Sequence, residues 1–335
     1  MSRRVLTRLT HDPRRVKRIC TALLLAAAFN LAAAQSYPVK PVRLIFPLQP
    51  GSASNDILGR ALMQRLSEAL GQPVVADYRP GAAGTIGGAA AAKSAPDGYT
   101  LLIGYTSSIM IGPTLLPNPG FNPVTDLTPI ARFAVVPYIA VVHPTLPATS
   151  LKALVALAKA RPGQINCASA GTGGLPHLAA ELFKLTANVD IVHVPYKSAA
   201  SAHTDLLGGH VQMQFTGISG VAPSIRAGKL RALAVTAAKR SALLPDVPTA
   251  GESGFPALDV TSSLGVVGPA NIPAPIVRRL HDEIAKIVNG VDMKNFIASQ
   301  GAEPALMDPA EFGAHIRSEV AKWGRVIRAA HIKSD

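Results

Sequence analysis

Cysteine and long apolar runs are scarce in this 335-residue chain, which contains two cysteines and no stretch of 18 uninterrupted apolar residues. Two cysteines cannot build a disulfide scaffold or a cysteine-rich metal domain. The apolar runs are too short for a conventional transmembrane helix. Charged residues make up 16% of the chain and hydrophobic residues 48%, which excludes the composition of a disordered protein. What is left is a globular protein, and its length suggests two domains of roughly 100–200 residues each.

Acidic residues are outnumbered by basic ones, 20 against 33, and the formal net charge of +13 first suggests a nucleic-acid partner. Residues 1–34 carry seven of the basic side chains and one acid, Asp12, so 26 basic and 19 acidic side chains remain beyond them. That surplus of seven is spread over about 300 residues without a basic tract. The charge distribution therefore argues against a nucleic-acid partner.

The first 34 residues have the order of a secretory signal peptide. Basic residues up to Arg18 precede an apolar run over 19–31, and three alanines end at Ala34. The run is shorter than the roughly 20 residues that span a bilayer, which disfavours the alternative of a membrane anchor. We predict cleavage after Ala34, export to the periplasm by the general secretory or the twin-arginine route, and a soluble mature protein.

Strand-like and helix-like segments alternate along the mature chain, which indicates an α/β fold with largely parallel sheets. About a dozen expected strands are too many for one small sheet, so two lobes are favoured over the alternative, a (β/α)8 barrel. No low-complexity linker is present, so the chain is expected to cross between the lobes as strands. We place lobe 1 in residues 35–139 and 258–335 and lobe 2 in residues 140–257, with hinges near 138–142 and 255–260.

Capping residues predict where two helices begin. Ser150 precedes an amphipathic segment that ends at Ala160, and serine is a favoured N-cap. Asp308 and Glu311 have the spacing of a capping box, and the apolar stripe that follows them predicts a C-terminal helix packed on the core.

Two loops of small residues are each expected to follow a strand and to begin a helix. They are residues 51–55 (GSASN) and 169–174 (SAGTGG). Free N–H groups and the helix dipole attract an anion at a helix N-terminus, and small residues let a ligand approach the backbone. Neither loop contains Lys or Arg, so neutral donors would hold the anion. Ligands of α/β folds bind at the carboxyl ends of strands, so we expect both loops to line one cleft, although each alone could be an ordinary tight turn.

Motifs of catalysis and cofactor binding are missing from the chain. It contains no P-loop, no G-x-G-x-x-G and no G-x-S-x-G. The spacings between His177, His193, His203 and His210 match no zinc pattern, and Cys167 is expected to be a buried small hydrophobe. We therefore expect no enzyme activity, metal or cofactor. A secreted α/β hydrolase is the remaining enzymatic alternative, and it would need a serine in contact with a histidine.

A series of short motifs runs through residues 37–330 in a characteristic order. The motifs are YPVKPVRLI at 37–45, GQPVV at 71–75, RPG at 79–81, GTIG at 84–87, APDGYTLL at 95–102, HLAAELF at 177–183, VPYK at 194–197, AGKLRALAVT at 227–236 and LPDVPT at 244–249. This series resembles the Bug family, the extracytoplasmic substrate-binding proteins associated with tripartite tricarboxylate transporters. The chain departs from the family pattern at Gly51-Ser52, at Ser262-Ser263 and over 212–216, which leaves the specific ligand open.

The resemblance implies a two-lobed, periplasmic-binding-protein-like α/β fold whose cleft closes on a small organic carboxylate, with permease subunits as partners and a monomeric state. It also implies that the loops at 48–55 and 169–173 hold one carboxylate group, partly through ordered waters. A ligand-dependent sensor that acts on a membrane receptor is the alternative function. The candidate ligand-binding residues are Leu48, Gly51, Ser52, Ala53, Ser54, Asn55, Thr106, Ser107, Ser169, Ala170, Gly171, Thr172, His177 and Asp205.

Overall fold

The structure, a computed structural model, describes residues 37–51 and 54–333. The predicted signal peptide and the candidate residues Ser52 and Ala53 lie outside the described residues. Residues 41–335 form one unit, and all the contacts given below lie within it. Within 37–51 and 54–333, no helix combines the length and the apolar character needed to cross a membrane.

Strands and helices alternate through most of the described chain. The strands are β1 (Val42–Phe46), β2 (Val74–Tyr78), β3 (Thr100–Tyr105), β4 (Leu127–Val142), β5 (Asn166–Ser169), β6 (Val192–Pro195), β7 (Met213–Gly217), β8 (Arg231–Val235), β9 (Thr261–Pro269) and β10 (Glu303–Met307). The helices are α1 (Ser54–Leu70), α2 (Thr85–Ala92), α3 (Gly112–Leu115), α4 (Leu151–Ala160), α5 (Leu175–Ala187), α6 (Ala199–Leu207), α7 (Ile218–Arg226), α8 (Ala274–Asn289), α9 (Val291–Ser299) and α10 (Pro309–Ala329). A short 3-10 turn at Ala82–Gly84 precedes α2, and a π-helical turn at Thr106–Ile111 precedes α3.

The strands have the order β2-β1-β3-β9-β4-β7-β5-β6, and β8 and β10 also pair with β4. Pairs of β1 with β2 and β3, and of β5 with β6 and β7, are parallel. Every described pair made by β4 or β9 is antiparallel. The α/β class is confirmed, but the expectation of largely parallel sheets is wrong for the middle strands, because β4 and β9 run against their neighbours there.

Strand β4 joins the two halves of the sheet system. Its first part, through Pro137, pairs with β9 and β10, and its last part, from Tyr138, pairs with β7 and β8. The chain therefore passes between the halves as a strand, as the lack of a linker suggested. Beside this crossing, Thr236 N–H donates to the Tyr138 carbonyl and Val260 N–H donates to the Thr236 carbonyl, both over 2.9 Å. The two predicted hinge segments thus meet at Thr236, while the hinges and lobe boundaries themselves stay predictions.

The local sequence signals agree with the elements formed. Ser150 Oγ accepts from Ala153 N–H, and Asp308 and Glu311 exchange both capping-box hydrogen bonds, so both predicted helix starts are confirmed. Helix α1 begins at Ser54, so Ser54 and Asn55 of the small-residue segment at 51–55 belong to its first turn. Burial raises the pKa of Cys167 to about 12, in agreement with its prediction as a buried hydrophobe.

Candidate functional site

Three strand ends carry the candidate residues. Strands β1, β3 and β5 each run directly into a turn and then into a helix. We call residues 47–55, which extend from the end of β1 into the first turn of α1, the first loop. We call residues 169–174, from the last residue of β5 to the residue before α5, the second loop. Both loops lie at carboxyl ends of strands that have parallel neighbours, which is where α/β folds bind ligands.

The buried carboxylate of Asp56 holds the first loop in shape. Its Oδ2 accepts from Gly51 N–H over 2.7 Å and lies 3.2 Å from Nε of Arg60. Its Oδ1 accepts from the Tyr78 hydroxyl over 2.8 Å. Burial and this bond to Asp56 raise the pKa of Tyr78. The Gly51 N–H, a candidate donor to the ligand, therefore already donates to Asp56.

The donors that remain in the first loop belong to the start of α1. Ser54 and Asn55 are half-buried, and their amides and side chains make no hydrogen bond to another described residue. The first amides of a helix have no partner within the helix, so they can bind an anion. Leu48 is buried at 8% exposure, so its side chain offers little surface to a ligand.

Gly84 brings the first loop against the turn that follows β3. Its φ is +91°, and a Cβ placed on it would come within 2.6 Å of Ser108 Cβ and 3.2 Å of the Pro47 carbonyl oxygen. Tyr105 also links the two segments, because its hydroxyl donates to the Pro47 carbonyl over 3.2 Å. Burial raises the pKa of Tyr105 to about 12. A left-handed glycine is the residue that allows the two segments to approach this closely.

Two candidates in the turn after β3 have different surroundings. Thr106 is fully buried, and its hydroxyl donates to the Thr261 carbonyl and accepts from Ser263 N–H. These bonds fasten the turn to β9. Ser107 is half-buried, and its hydroxyl has no partner among the described residues. Of these two, Ser107 has the hydroxyl that is free for a ligand.

Two histidines hold the second loop through their contacts with Ser169 and Gly173. Ser169 is fully buried, and its Oγ lies 2.6 Å from Nε2 of His193. Gly173 N–H donates to Nδ1 of His177 over 3.0 Å. The two imidazole rings stack with centroids 3.6 Å apart. Burial, with a smaller contribution from His177, lowers the pKa of His193 to about 4, so His193 is neutral at physiological pH.

The free donors of the second loop lie between these two anchored positions. Thr172 is half-buried, and neither its hydroxyl nor its amide bonds to a described residue. The amide of Gly174 is likewise unpaired within the described chain. Ala170 is exposed, while Gly171 N–H donates to Ser169 Oγ. The loop therefore presents neutral donors centred on Thr172.

The turn after β3 and the second loop meet at one contact. A Cβ on Gly173 would overlap Cδ2 of Leu115, at the end of α3. Helix α3 directly follows the π-helical turn that contains Ser107. The structure thus brings the elements that carry Ser107 and Thr172 together.

Asp205 lies near the end of β6, on helix α6. Its Oδ2 accepts from the Tyr196 hydroxyl over 2.7 Å, and this bond, ahead of burial, raises the pKa of Tyr196. A carboxylate repels an anionic ligand unless a cation lies between them. Direct contact of Asp205 with a ligand therefore stays a prediction, and the partner that the structure shows for it is Tyr196.

The contact between Ser169 and His193 is the one that a hydrolase was expected to need. Ser169 Oγ has no exposed surface from which to attack a substrate. No described carboxylate bonds to the other ring nitrogen of His193, so the orienting group of a catalytic triad is missing there. The contact instead supports the loop. Among the described residues, no three His, Cys, Asp or Glu side chains are grouped to hold a metal ion.

Comparison with known proteins gives matches over most of the chain. The family model described as "Tripartite tricarboxylate transporter family receptor" matches residues 58–332. Protein BugT of Bordetella pertussis is 37% identical over 301 residues, which cover 90% of this chain and 92% of BugT. A protein of R. palustris solved with adipate is 34% identical, with a TM-score of 0.75 and coverage of 89% and 99%. MatC of Rhodopseudomonas palustris, solved with bound malate, is 27% identical, with a TM-score of 0.71 and coverage of 87% and 100%.

Proposed function

Since this chain belongs to the tripartite tricarboxylate transporter receptor family, we propose that it captures a small organic carboxylate in the periplasm and delivers it to the permease subunits of such a transporter. Membership confirms the resemblance drawn from the short motifs. The family consists of receptors that bind substrates. Two solved relatives have adipate and malate bound, and these ligands support a carboxylate for this chain.

The observation that carries the proposal is a set of neutral donors at two helix N-termini that make no hydrogen bond to another described residue. Ser54 and Asn55 begin α1, and Thr172 and Gly174 precede α5. Helix N-termini bind anions without a cationic side chain, through amide hydrogens and the helix dipole. Gly51 already donates to Asp56, and Ser169 and Gly173 bond to the two histidines. We infer that the donors left over in the described part of the two loops hold one carboxylate group.

The charge of the ligand is expected to decide its affinity. We expect the carboxylate ligand to bind at least tenfold more tightly than its amide, because hydrogen bonds to an ionised acceptor are about twice as strong as those to a neutral one. A thermal-shift screen of the protein from residue 35 onward against malate, adipate and aromatic carboxylates identifies the ligand, and calorimetry compares acid with amide. Equal affinities would contradict an anion site.

Thr172 offers a direct test of the second loop. Thr172→Ala is expected to weaken carboxylate binding about fivefold, because it removes a hydroxyl donor from a partly desolvated anion. Thr172→Ser keeps the hydroxyl and is expected to bind like the wild type. Calorimetry with the carboxylate found by the screen measures both variants. If Thr172→Ala binds as tightly as Thr172→Ser, the hydroxyl is not part of the site.

Delivery to a permease is tested in cells. A strain that lacks this protein is expected to lose uptake of the bound carboxylate and to regain it when the gene is restored. Unchanged uptake together with a lost transcriptional response to the same carboxylate would favour the sensor alternative.

A further inference from the structure

The second loop is fastened at both ends to one pair of stacked histidines. Ser169, at the start of the loop, contacts Nε2 of His193 on β6, and Gly173, near its end, donates its N–H to Nδ1 of His177 on α5. The ring planes differ by 11° and the centroids lie 3.6 Å apart. The pair therefore bonds to the loop on both sides of Thr172, which has the free donors.

The bond from Gly173 defines the role of each ring nitrogen of His177. A backbone N–H can donate to Nδ1 only if that nitrogen has a lone pair, so the proton of the neutral ring is on Nε2. Nε2 lies 3.7 Å from Oε1 of Glu181. The lone pair of Nδ1 is therefore the acceptor that holds the end of the loop.

The groups that face the pair come from each element packed around it. Helix α5 contributes Glu181 and Lys184, which lie 2.9 Å apart. Burial raises the pKa of Glu181, but its interactions with His177 and Lys184 outweigh burial and lower that pKa overall. Strand β5 contributes the neutral thiol of Cys167. Four titratable groups of α10 (Glu311, His315, Glu319 and Lys322) act instead on Arg132 or Asp259.

We propose that His177 and His193 are positioning residues for carboxylate binding, and that the acceptor at Nδ1 of His177 holds the second loop in its binding shape. The inference rests on the proposed function and extends it, since neither ring needs to touch the ligand. Loss of this acceptor is expected to loosen the loop and to weaken carboxylate binding.

Two substitutions of His177 separate positioning from simple packing. His177→Asn keeps an oxygen acceptor near the position of Nδ1, whereas His177→Leu fills the site but removes the acceptor. Calorimetry with malate and with adipate compares both variants with the wild type at one pH. His177→Leu is expected to lose about tenfold in affinity, because the Gly173 N–H is left without an acceptor, and His177→Asn is expected to bind within about twofold of the wild type.

His143 provides a matched control. Its Nδ1 also accepts from a backbone N–H, that of Thr145, but this contact lies outside both loops. His143→Leu is expected to bind the carboxylate like the wild type. Equal affinities for His177→Asn and His177→Leu would overturn the proposal.

A measurement without ligand keeps the proposal separate from the proposed function. Hydrogen exchange of the Gly173 amide is followed by ¹⁵N NMR in the wild type, in His177→Asn and in His177→Leu. Exchange is expected to be about tenfold faster only in His177→Leu, and equal exchange in all three would overturn the proposal. If Gly173 exchanges faster in His177→Leu but no carboxylate binds to the wild type, the proposed function fails while the positioning of the loop stands.

Discussion

Replacing Asp56 with alanine is expected to lower the free energy of unfolding by about 2 kcal/mol and to weaken carboxylate binding by more than tenfold. The buried carboxylate has three partners, which are Gly51 N–H, the Tyr78 hydroxyl and Arg60. Removing it takes the shared acceptor away from all three. It also releases the loop in front of Ser54, where the amides that begin α1 are arranged for an anion.

Tyr78→Phe is the matched control for this effect. It removes only one of the three partners and is expected to cost about 1 kcal/mol. Urea unfolding measures stability, and calorimetry on the folded variant measures affinity. A folded Asp56→Ala variant with the affinity of the wild type would show that the first loop does not contribute to the site.

Gly84→Ala is expected to have an effect of similar size. A non-glycine residue at φ +91° costs roughly 1–2 kcal/mol, and the overlap of its Cβ with Ser108 and the Pro47 carbonyl adds about 1–3 kcal/mol. The added methyl group pushes the first loop away from the turn that contains Ser107. Carboxylate affinity is therefore expected to fall together with stability.

Gly71 separates the two causes. Its φ is +66°, and a Cβ there would meet no atom within 4 Å, so Gly71→Ala is expected to cost only the backbone strain of about 1 kcal/mol and to leave ligand binding unchanged. Thermal unfolding of both variants provides the comparison. Equal losses would mean that close packing at Gly84 contributes nothing.

The parts of the fold that could be predicted are those with local signals. Ser150 and the Asp308–Glu311 pair specify helix starts through hydrogen bonds that span three residues. The two loops were identified because small residues between a strand and a helix are visible within a short window. Such signals depend on neighbouring residues alone, so they can be read without knowing the tertiary fold.

The antiparallel middle of the sheet system could not be predicted in the same way. Strand β9 has the sequence TSSLGVVGP, and its polar and glycine residues do not indicate that every residue after Thr261 is buried. Its neighbours β3 and β4 are more than a hundred residues away in the chain. The direction of such pairs depends on how the whole chain passes between the two halves.

The amino-acid sequence by itself determined the α/β class, the family and the positions of two loops rich in neutral donors. Only the tertiary structure decided which donors remain free, because the competing partners are distant in the chain. Asp56 meets Tyr78 across 22 residues, and Ser169 meets His193 across 24. A buried polar group bonds to whatever partner the fold brings to it, so the donors left for a carboxylate are those that no such partner has reached.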